Sequence, residues 1–280
     1  MEPAVATQTA VRTTLADARI WQILALSTLL TFGLTKLGFD QQPVAVALIV
    51  STALATQWAG SRFIAGTPFD PLSPLITALS LSILLRTTGP EWLALAAVLG
   101  IGSKFVVRID GKHIFNPANF GIVVLILFTG EAWVSPSQWG SATWSAFLFA
   151  SLAILVLSRA RRADIALAFL AAYVGILFAR ALWLGDPMAI PLKQMQSGAI
   201  LLFAFFMISD PKTTPDRRDA RVLYAVFVAA LGAWLQFGLW IPHGVILALF
   251  LASPLVPILD RLLPRAREAA PFEWHRPVVN

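Results

Sequence analysis

Long apolar runs alternate with short charged or Pro/Gly-rich segments along almost the whole chain. Runs of this length and apolarity are typical of helices that cross a lipid bilayer, which need about 17–25 residues each. The pattern predicts ten helices. They are Ile20–Leu37, Pro43–Ala59, Leu72–Leu85, Glu91–Val107, Pro117–Gly130, Thr143–Leu157, Asp164–Leu184, Ser197–Ile208, Val222–Leu239 and His243–Leu259.

The composition favours a membrane protein over a soluble one. Of the 280 residues, 58% are hydrophobic and 13% are charged, about half the charged share of an ordinary soluble domain. Lipid can surround that much apolar surface, whereas a soluble fold of this size could not bury it. We therefore predict an all-α integral membrane protein whose first partner is the lipid bilayer, and no binding of nucleic acid.

The distribution of Lys and Arg predicts the orientation. With ten crossings and a cytoplasmic N-terminus, 17 of the 21 basic residues fall on the cytoplasmic side. The other four, on the opposite side, are Lys36, Arg86, Arg180 and Lys193. Because cytoplasmic loops carry the excess of basic residues, we expect both termini in the cytoplasm of a bacterial inner membrane. The predicted parts are a cytoplasmic arm (1–19), one transmembrane domain (20–261) and a cytoplasmic tail (262–280).

Ten crossings divide into two halves of five, about 20–130 and 143–259. An odd number of helices per half requires the halves to be inverted relative to each other, as in many channels and transporters. Three predicted helices are short for a full span: Leu72–Leu85, Pro117–Gly130 and Ser197–Ile208. The first and last of these are third in their halves, a position that points to a binding site near the midplane. Two short tilted helices are the alternative interpretation.

The segment from Asp110 to Gly121 enters the fifth helix and offers the first candidate site. Pro117 suits the first turn of a helix, which makes Asn116 the predicted N-cap. Free amides at such a helix start attract an anionic or electron-rich group, and Lys112 adds charge. Asn119 follows within the first turn. A capped helix beside a solvated basic loop explains the same residues.

Three other polar segments interrupt or flank apolar runs. Asp210 ends the eighth predicted helix before Pro211 and Pro215, where an ionised carboxylate needs a partner or water; Lys212 is close enough to be that partner. His243 precedes the tenth helix and is interpreted as a site residue, a proton relay or a simple cap. Asp70 to Ser73 precede the short third helix, and Thr143 starts the sixth, where a capping role fully explains it.

Several chemistries have no sequence signal. The chain has no cysteine, which excludes iron–sulfur clusters held by this chain. The three histidines (His113, His243 and His275) are placed unfavourably for a haem in the membrane. No phosphate-binding loop, dinucleotide fingerprint or metal cluster is present in the sequence, so we predict no haem, no iron–sulfur cluster and no metal site.

Four stretches resemble the NqrB/RnfD family, the membrane flavin subunits of ion-translocating NADH:quinone oxidoreductase and Rnf electron transport complexes. They are FDPLSPLITALSLSILL (Phe69–Leu85), GKHIFNPANFG (Gly111–Gly121), MISDPKTTP (Met207–Pro215) and PHGVILALFLASPLVPILDR (Pro242–Arg261). The chain is similar to a short, stand-alone member of that family.

The resemblance implies a fold of ten helices in two inverted halves, similar to urea channels. It also implies a flavin (FMN or riboflavin), electron transfer coupled to an ion, and other membrane or redox subunits as partners. The residues that it places at the flavin are Asn116, Pro117, Asp210 and Thr214. In the family a threonine of an SGAT sequence holds FMN covalently. The nearest sequence here is GSAT, which ends at Thr143, and His243 stands where the family has an aspartate.

Three functions remain as hypotheses. The first is a membrane electron-transport subunit that binds a flavin between the halves, at most one subunit of an oxidoreductase. The second is a channel or carrier for a small solute, which the paired short helices favour. The third is a non-catalytic assembly partner.

Overall fold

The computed structural model describes residues 17–135, 163–195 and 197–263. The first group of helices comprises α1 (Ala18–Lys36), α2 (Pro43–Ala59), α3 (Leu72–Leu84), α4 (Pro90–Val106) and α5 (Pro117–Phe128). The second comprises α6 (Ala163–Leu184), α7 (Ala189–Met195), α8 (Gly198–Leu202), α9 (Arg218–Phe237), α10 (Gly244–Ala252) and α11 (Leu255–Leu262). The short strands are β1 (Leu85–Thr87), β2 (Arg108–Ile109), β3 (Lys112–His113) and β4 (Ala132–Val134).

Every predicted helix that falls on the described residues has a counterpart. Only the sixth, Thr143–Leu157, lies outside them. The largest shift in a start is at α9, which begins at Arg218 instead of Val222 because its charged first turn is helical, with Asp219 accepting from the Ala220 amide. The prediction of ten crossings stays a prediction, since length and composition identify four helices able to span a membrane, or up to six if each bent pair is one span.

Two predicted helices are broken. The eighth is preceded by α7, and the α7 and α8 segments are bent by 48° relative to each other; α8 then continues as a π-helix over Phe203–Met207. The tenth was wrong as one straight helix, since α10 and α11 are bent by 47°. The break falls at Ser253 and Pro254, because a proline in the chain cannot continue the backbone hydrogen-bond ladder.

The helix packing repeats between the two groups. In the first group α2 and α5 both pack on α4, and in the second α6 and α10 both pack on α9. Small residues allow the close contacts. A Cβ at Gly121 of α5 would lie 2.4 Å from the Ala96 carbonyl oxygen of α4, and a Cβ at Gly232 of α9 would lie 3.1 Å from Val245 Cα.

Two small antiparallel pairs of strands connect loops at different places. β1 pairs with β4 and links the end of α3 to the segment after α5, while β2 and β3 form a hairpin directly before α5. The sequence prediction contained neither pair. Leu85, predicted as the last residue of the third helix, is the first residue of β1.

Large apolar side chains cover much of the outside of the bundle. Examples are Phe63, Phe128 and Trp183, which are 73%, 81% and 86% exposed. Soluble monomers rarely expose apolar surface on this scale, whereas lipid-facing helices do. The described chain is therefore a helical, multi-pass membrane protein.

Candidate cofactor site at the junction of the two helix groups

Ion pairs join many chain segments at one end of the bundle, called here the ion-pair end. Arg221, in the first turn of α9, pairs with Asp164 in the first turn of α6, and Arg19 near the start of α1 pairs with Asp70 before α3. Lys112, before α5, pairs with Asp216 before α9 at 2.6 Å and with Asp260 in α11 at 2.9 Å. The starts of α1, α3, α5, α6 and α9 and the end of α11 therefore share one end.

The β2–β3 hairpin places Lys112 in this network. Asp110 and Gly111 form its turn with φ angles of 51° and 80°, the combination that a two-residue hairpin turn requires and that Asp-Gly favours. The Asp-Gly dipeptide is the sequence signal for this hairpin, which the prediction of helices did not include. Because Lys112 already neutralises two carboxylates, it is not a free positive charge for a phosphate, as the sequence suggested.

Asn116 caps α5 as predicted. Its Oδ1 accepts a hydrogen bond from the Asn119 amide at 3.1 Å, and Pro117 occupies the first helical position. Its Nδ2 also faces the second helix group, with the Met207 carbonyl oxygen at 3.5 Å and Asp210 Oδ2 at 3.4 Å. Both contacts are long for a hydrogen bond, so Asn116 bridges the two groups without a strong bond.

Asn119 makes the second connection between the groups. Its Nδ2 donates to the Ile246 carbonyl oxygen of α10 at 2.8 Å. Asn119 is 0% exposed, and its Oδ1 is buried without a hydrogen-bond partner among the described residues. An unsatisfied buried acceptor costs about 1–3 kcal/mol, and such an atom is a candidate contact for a ligand that donates a hydrogen bond.

The turn after Met207 holds Asp210 and Thr214. Asp210 Oδ1 accepts from the Lys212 amide at 3.0 Å, and the Asp210 carbonyl accepts from the Thr213 amide at 3.2 Å. Thr214 is 1% exposed, and its Oγ1 is a second buried polar atom without a partner within the described part of the chain. Asp210 is thus oriented toward Asn116, while Thr214 lies four residues along the same turn.

Three phenylalanines surround the asparagines and were not predicted as site residues. The Phe115 and Phe250 rings are stacked with centroids 4.8 Å apart, and Phe120 lies 5.2 Å from Phe115 and 5.8 Å from Phe250. All three are partly exposed. Phe115 and Phe120 directly flank Asn116 and Asn119 in sequence, which was the available signal.

The two described histidines lie in different surroundings. Burial, with the nearby charges of Lys104, Arg108 and Lys212, lowers the pKa of His113 in β3 to about 3. His243 is the residue before α10, one turn from Ile246, and burial lowers its pKa below the usual value. Both imidazoles are therefore neutral near pH 7. His243 makes no side-chain cap to α10.

The structure brings Asn116, Pro117, Asn119 and Asp210 together, with Thr214 on the adjoining turn. It places Lys112 in the ion-pair network and His243 at the start of the helix that Asn119 contacts. Thr143, the predicted covalent attachment point, and His275 lie outside the described residues.

Comparison with known proteins gives a match to the NQR2, RnfD, RnfE family over residues 132–268. The chain is 30% identical over 167 residues to the RnfD protein of the ion-translocating oxidoreductase complex of Psychromonas ingrahamii, which covers 56% of this chain and 47% of the relative. The protein of the same name from Escherichia coli O139:H28 is 33% identical over 138 residues, covering 48% and 36%. That from Erwinia tasmaniensis is 34% identical over 110 residues, covering 38% and 30%.

The matched region spans less than half the length of each of these relatives. The family match includes Asp210, Thr214 and His243 but begins after Asn116. The resemblance predicted from the four sequence stretches is confirmed, and the chain is a relative of the NQR2, RnfD, RnfE family.

Proposed function

We propose that the chain is a membrane electron-transport subunit that binds a flavin at the junction of the two helix groups. The carrying observation is that Asn116, Asn119 and Asp210 converge beside three partly exposed phenylalanine rings, with two buried polar atoms left without partners among the described residues. The relatives are named as subunits of an ion-translocating oxidoreductase complex, which supports the electron-transport role and the presence of other subunits.

The residues suit the polar edge and the planar face of a flavin ring. Asn119 Oδ1 would accept from the ring N–H, and the Thr214 hydroxyl would donate to a ring carbonyl. Asn116, whose present contacts are long, would turn toward a stronger acceptor. The phenylalanine rings offer faces for stacking. A bound flavin would supply a carrier of one or two electrons, which the side chains of this chain do not provide.

The ion-pair end favours a flavin without a phosphate. Lys112 is engaged by Asp216 and Asp260, so a phosphate would have to displace two carboxylates to reach it. We therefore propose riboflavin, bound non-covalently, over FMN.

The two inverted halves and the cytoplasmic position of both termini belong to the same proposal. The matched packing of α2, α4 and α5 with α6, α9 and α10 supports the inverted halves. The segments joined at the ion-pair end are all ones that the alternation of ten crossings places on one side, which supports the position of the termini.

The test is the visible absorbance spectrum of the detergent-purified protein, as isolated and after incubation with riboflavin or FMN. We expect bound flavin, tighter retention of riboflavin, and loss of binding in Asn119→Leu. Gln236→Leu is the matched control, because Gln236 accepts a hydrogen bond from Tyr173 between α6 and α9, away from the site. A protein that binds neither flavin would contradict the proposal.

A solute channel or carrier is the second candidate. The bent pairs α7–α8 and α10–α11, with the short helix α3, favour it, because broken helices in matched positions line the sites of many transporters. Flux of uncharged solutes and of riboflavin into proteoliposomes tests this function. Flux no faster than in empty vesicles would remove it.

A further inference from the structure

Three helices converge on one ammonium group near the ion-pair end. Lys104 lies in the last turn of α4. Its Nζ donates to Gln57 Oε1 of α2 at 2.7 Å and to Ser73 Oγ of α3 at 2.9 Å. The motifs that identify the family do not include Lys104 or Gln57, and the flavin proposal uses neither.

The contacts around Lys104 are fixed by the surrounding structure. Gln57 is 7% exposed, and its Nε2 donates to Ser61 Oγ at 3.2 Å, which orients the amide so that Oε1 faces Lys104. The helices are close here, because a Cβ at Gly60 would lie 2.3 Å from the Phe105 ring. The oxygens therefore hold their positions independently of the lysine.

The charges around the ammonium favour a cation. Both direct acceptors are neutral, and the carboxylates whose charge acts on Nζ are Asp210 first and then Asp70, opposed by Arg19 and Arg108. A compact ammonium held by oxygen atoms in a carboxylate field has the same chemical requirements as a hard monovalent metal ion, which also prefers oxygen ligands.

We propose that Lys104 Nζ is the built-in cation of a monovalent-cation site formed by Gln57 Oε1 and Ser73 Oγ. Removal of the side chain would then leave a site that Na⁺ or K⁺ occupies. In the unmodified protein this position carries a fixed positive charge that cannot be exchanged with the medium. The proposal does not depend on flavin binding.

The experiment compares thermal unfolding of the detergent-purified full chain in NaCl, KCl and choline chloride at equal ionic strength. The wild type should unfold at the same temperature in all three salts. Lys104→Ala should be stabilised by Na⁺ or K⁺ but not by choline. A cation present at about 100 times its dissociation constant raises Tm by roughly 5–10 °C.

Two variants serve as controls. Lys36→Ala removes an exposed lysine in the last turn of α1 and should show no difference between the salts. The double variant Lys104→Ala/Gln57→Leu should lose the Na⁺ or K⁺ effect, because it removes a ligand oxygen. Equal Tm values for Lys104→Ala in all three salts would overturn the proposal. Failure of Lys104→Ala to fold in every salt would do the same, since a mobile ion then does not replace the ammonium.

Discussion

The two pairs formed by α4 with α5 and by α9 with α10 pack in the same way but carry different chemistry. In the first pair, Asn116 caps α5 and two asparagines reach the second helix group. In the second pair, α10 starts without a side-chain cap, and the helix bends after Ser253. The comparison teaches that a repeated packing scheme leaves the polar helix starts free to differ, and the candidate site lies at the better-capped one.

The largest expected effect concerns the close contact within each pair. Gly121→Ala should destabilise the protein by about 3 kcal/mol, because the new Cβ would meet a backbone oxygen at 2.4 Å. Gly232→Ala should cost less than about 1 kcal/mol, since its Cβ would lie 3.1 Å from Val245 Cα. Thermal unfolding in detergent measures both.

Gly102→Ala is the control for this comparison. Gly102 lies in α4, and a Cβ at this position would meet no neighbouring atom within 4 Å. The substitution should therefore stabilise the protein by about 0.5–1 kcal/mol through helix propensity. Equal losses at Gly121 and Gly232 would show that the two pairs are not packed as differently as the structure indicates.

A smaller effect is expected where the two pairs are joined by Lys112. Lys112→Met leaves Asp216 and Asp260 together without their cation, with side chains 12% and 19% exposed. We expect a loss of about 2 kcal/mol in the free energy of unfolding, below the roughly 3–5 kcal/mol of a fully buried pair. Arg217→Met is the control, because its pair with Asp219 is 42% and 58% exposed and should contribute at most about 1 kcal/mol. Similar losses for both variants would contradict the prediction.

The helix caps should differ next. Asn116→Ala removes the side chain that accepts from the Asn119 amide and should cost about 1 kcal/mol. His243→Ala should change stability very little, because His243 makes no side-chain cap to α10. The difference in Tm between the two variants is the measurement. A larger loss for His243→Ala would mean that the second helix start is the more constrained one.

The smallest effect is a dependence of stability on pH. The pKa of His113 is about 3 in the folded protein and about 6.5 in the unfolded chain. Between these values the unfolded chain binds the extra proton, so stability is full above about pH 6.5 and falls as the pH falls toward about 3. Because His113 is partly exposed, we expect at most about 1 kcal/mol per pH unit.

His113→Gln should flatten this slope between about pH 6.5 and 4, as followed by Tm. His243→Gln should flatten it less, although burial lowers the pKa of His243 in the same direction. An unchanged slope in His113→Gln would contradict the assignment.

Much of the site was predictable because its residues are close in sequence. Asn116 and Pro117 form a local cap signal that needs no tertiary contact, and the structure has that cap. Phe115, Phe120 and Phe250 were missed because stacked rings from α5 and α10 leave no sequence pattern other than their proximity to the asparagines. Lys104 was interpreted only as a cytoplasmic charge, since its acceptors lie on two other helices.

The sequence by itself determined the helical class, the positions of the described helices and the family, because apolar run length, capping residues and short motifs are local properties of the chain. Only the tertiary structure decided which polar groups meet. Asn119 with Ile246 and Lys112 with Asp260 are separated by 127 and 148 residues. Such contacts depend on how the helices pack, and packing is a property of all helices together.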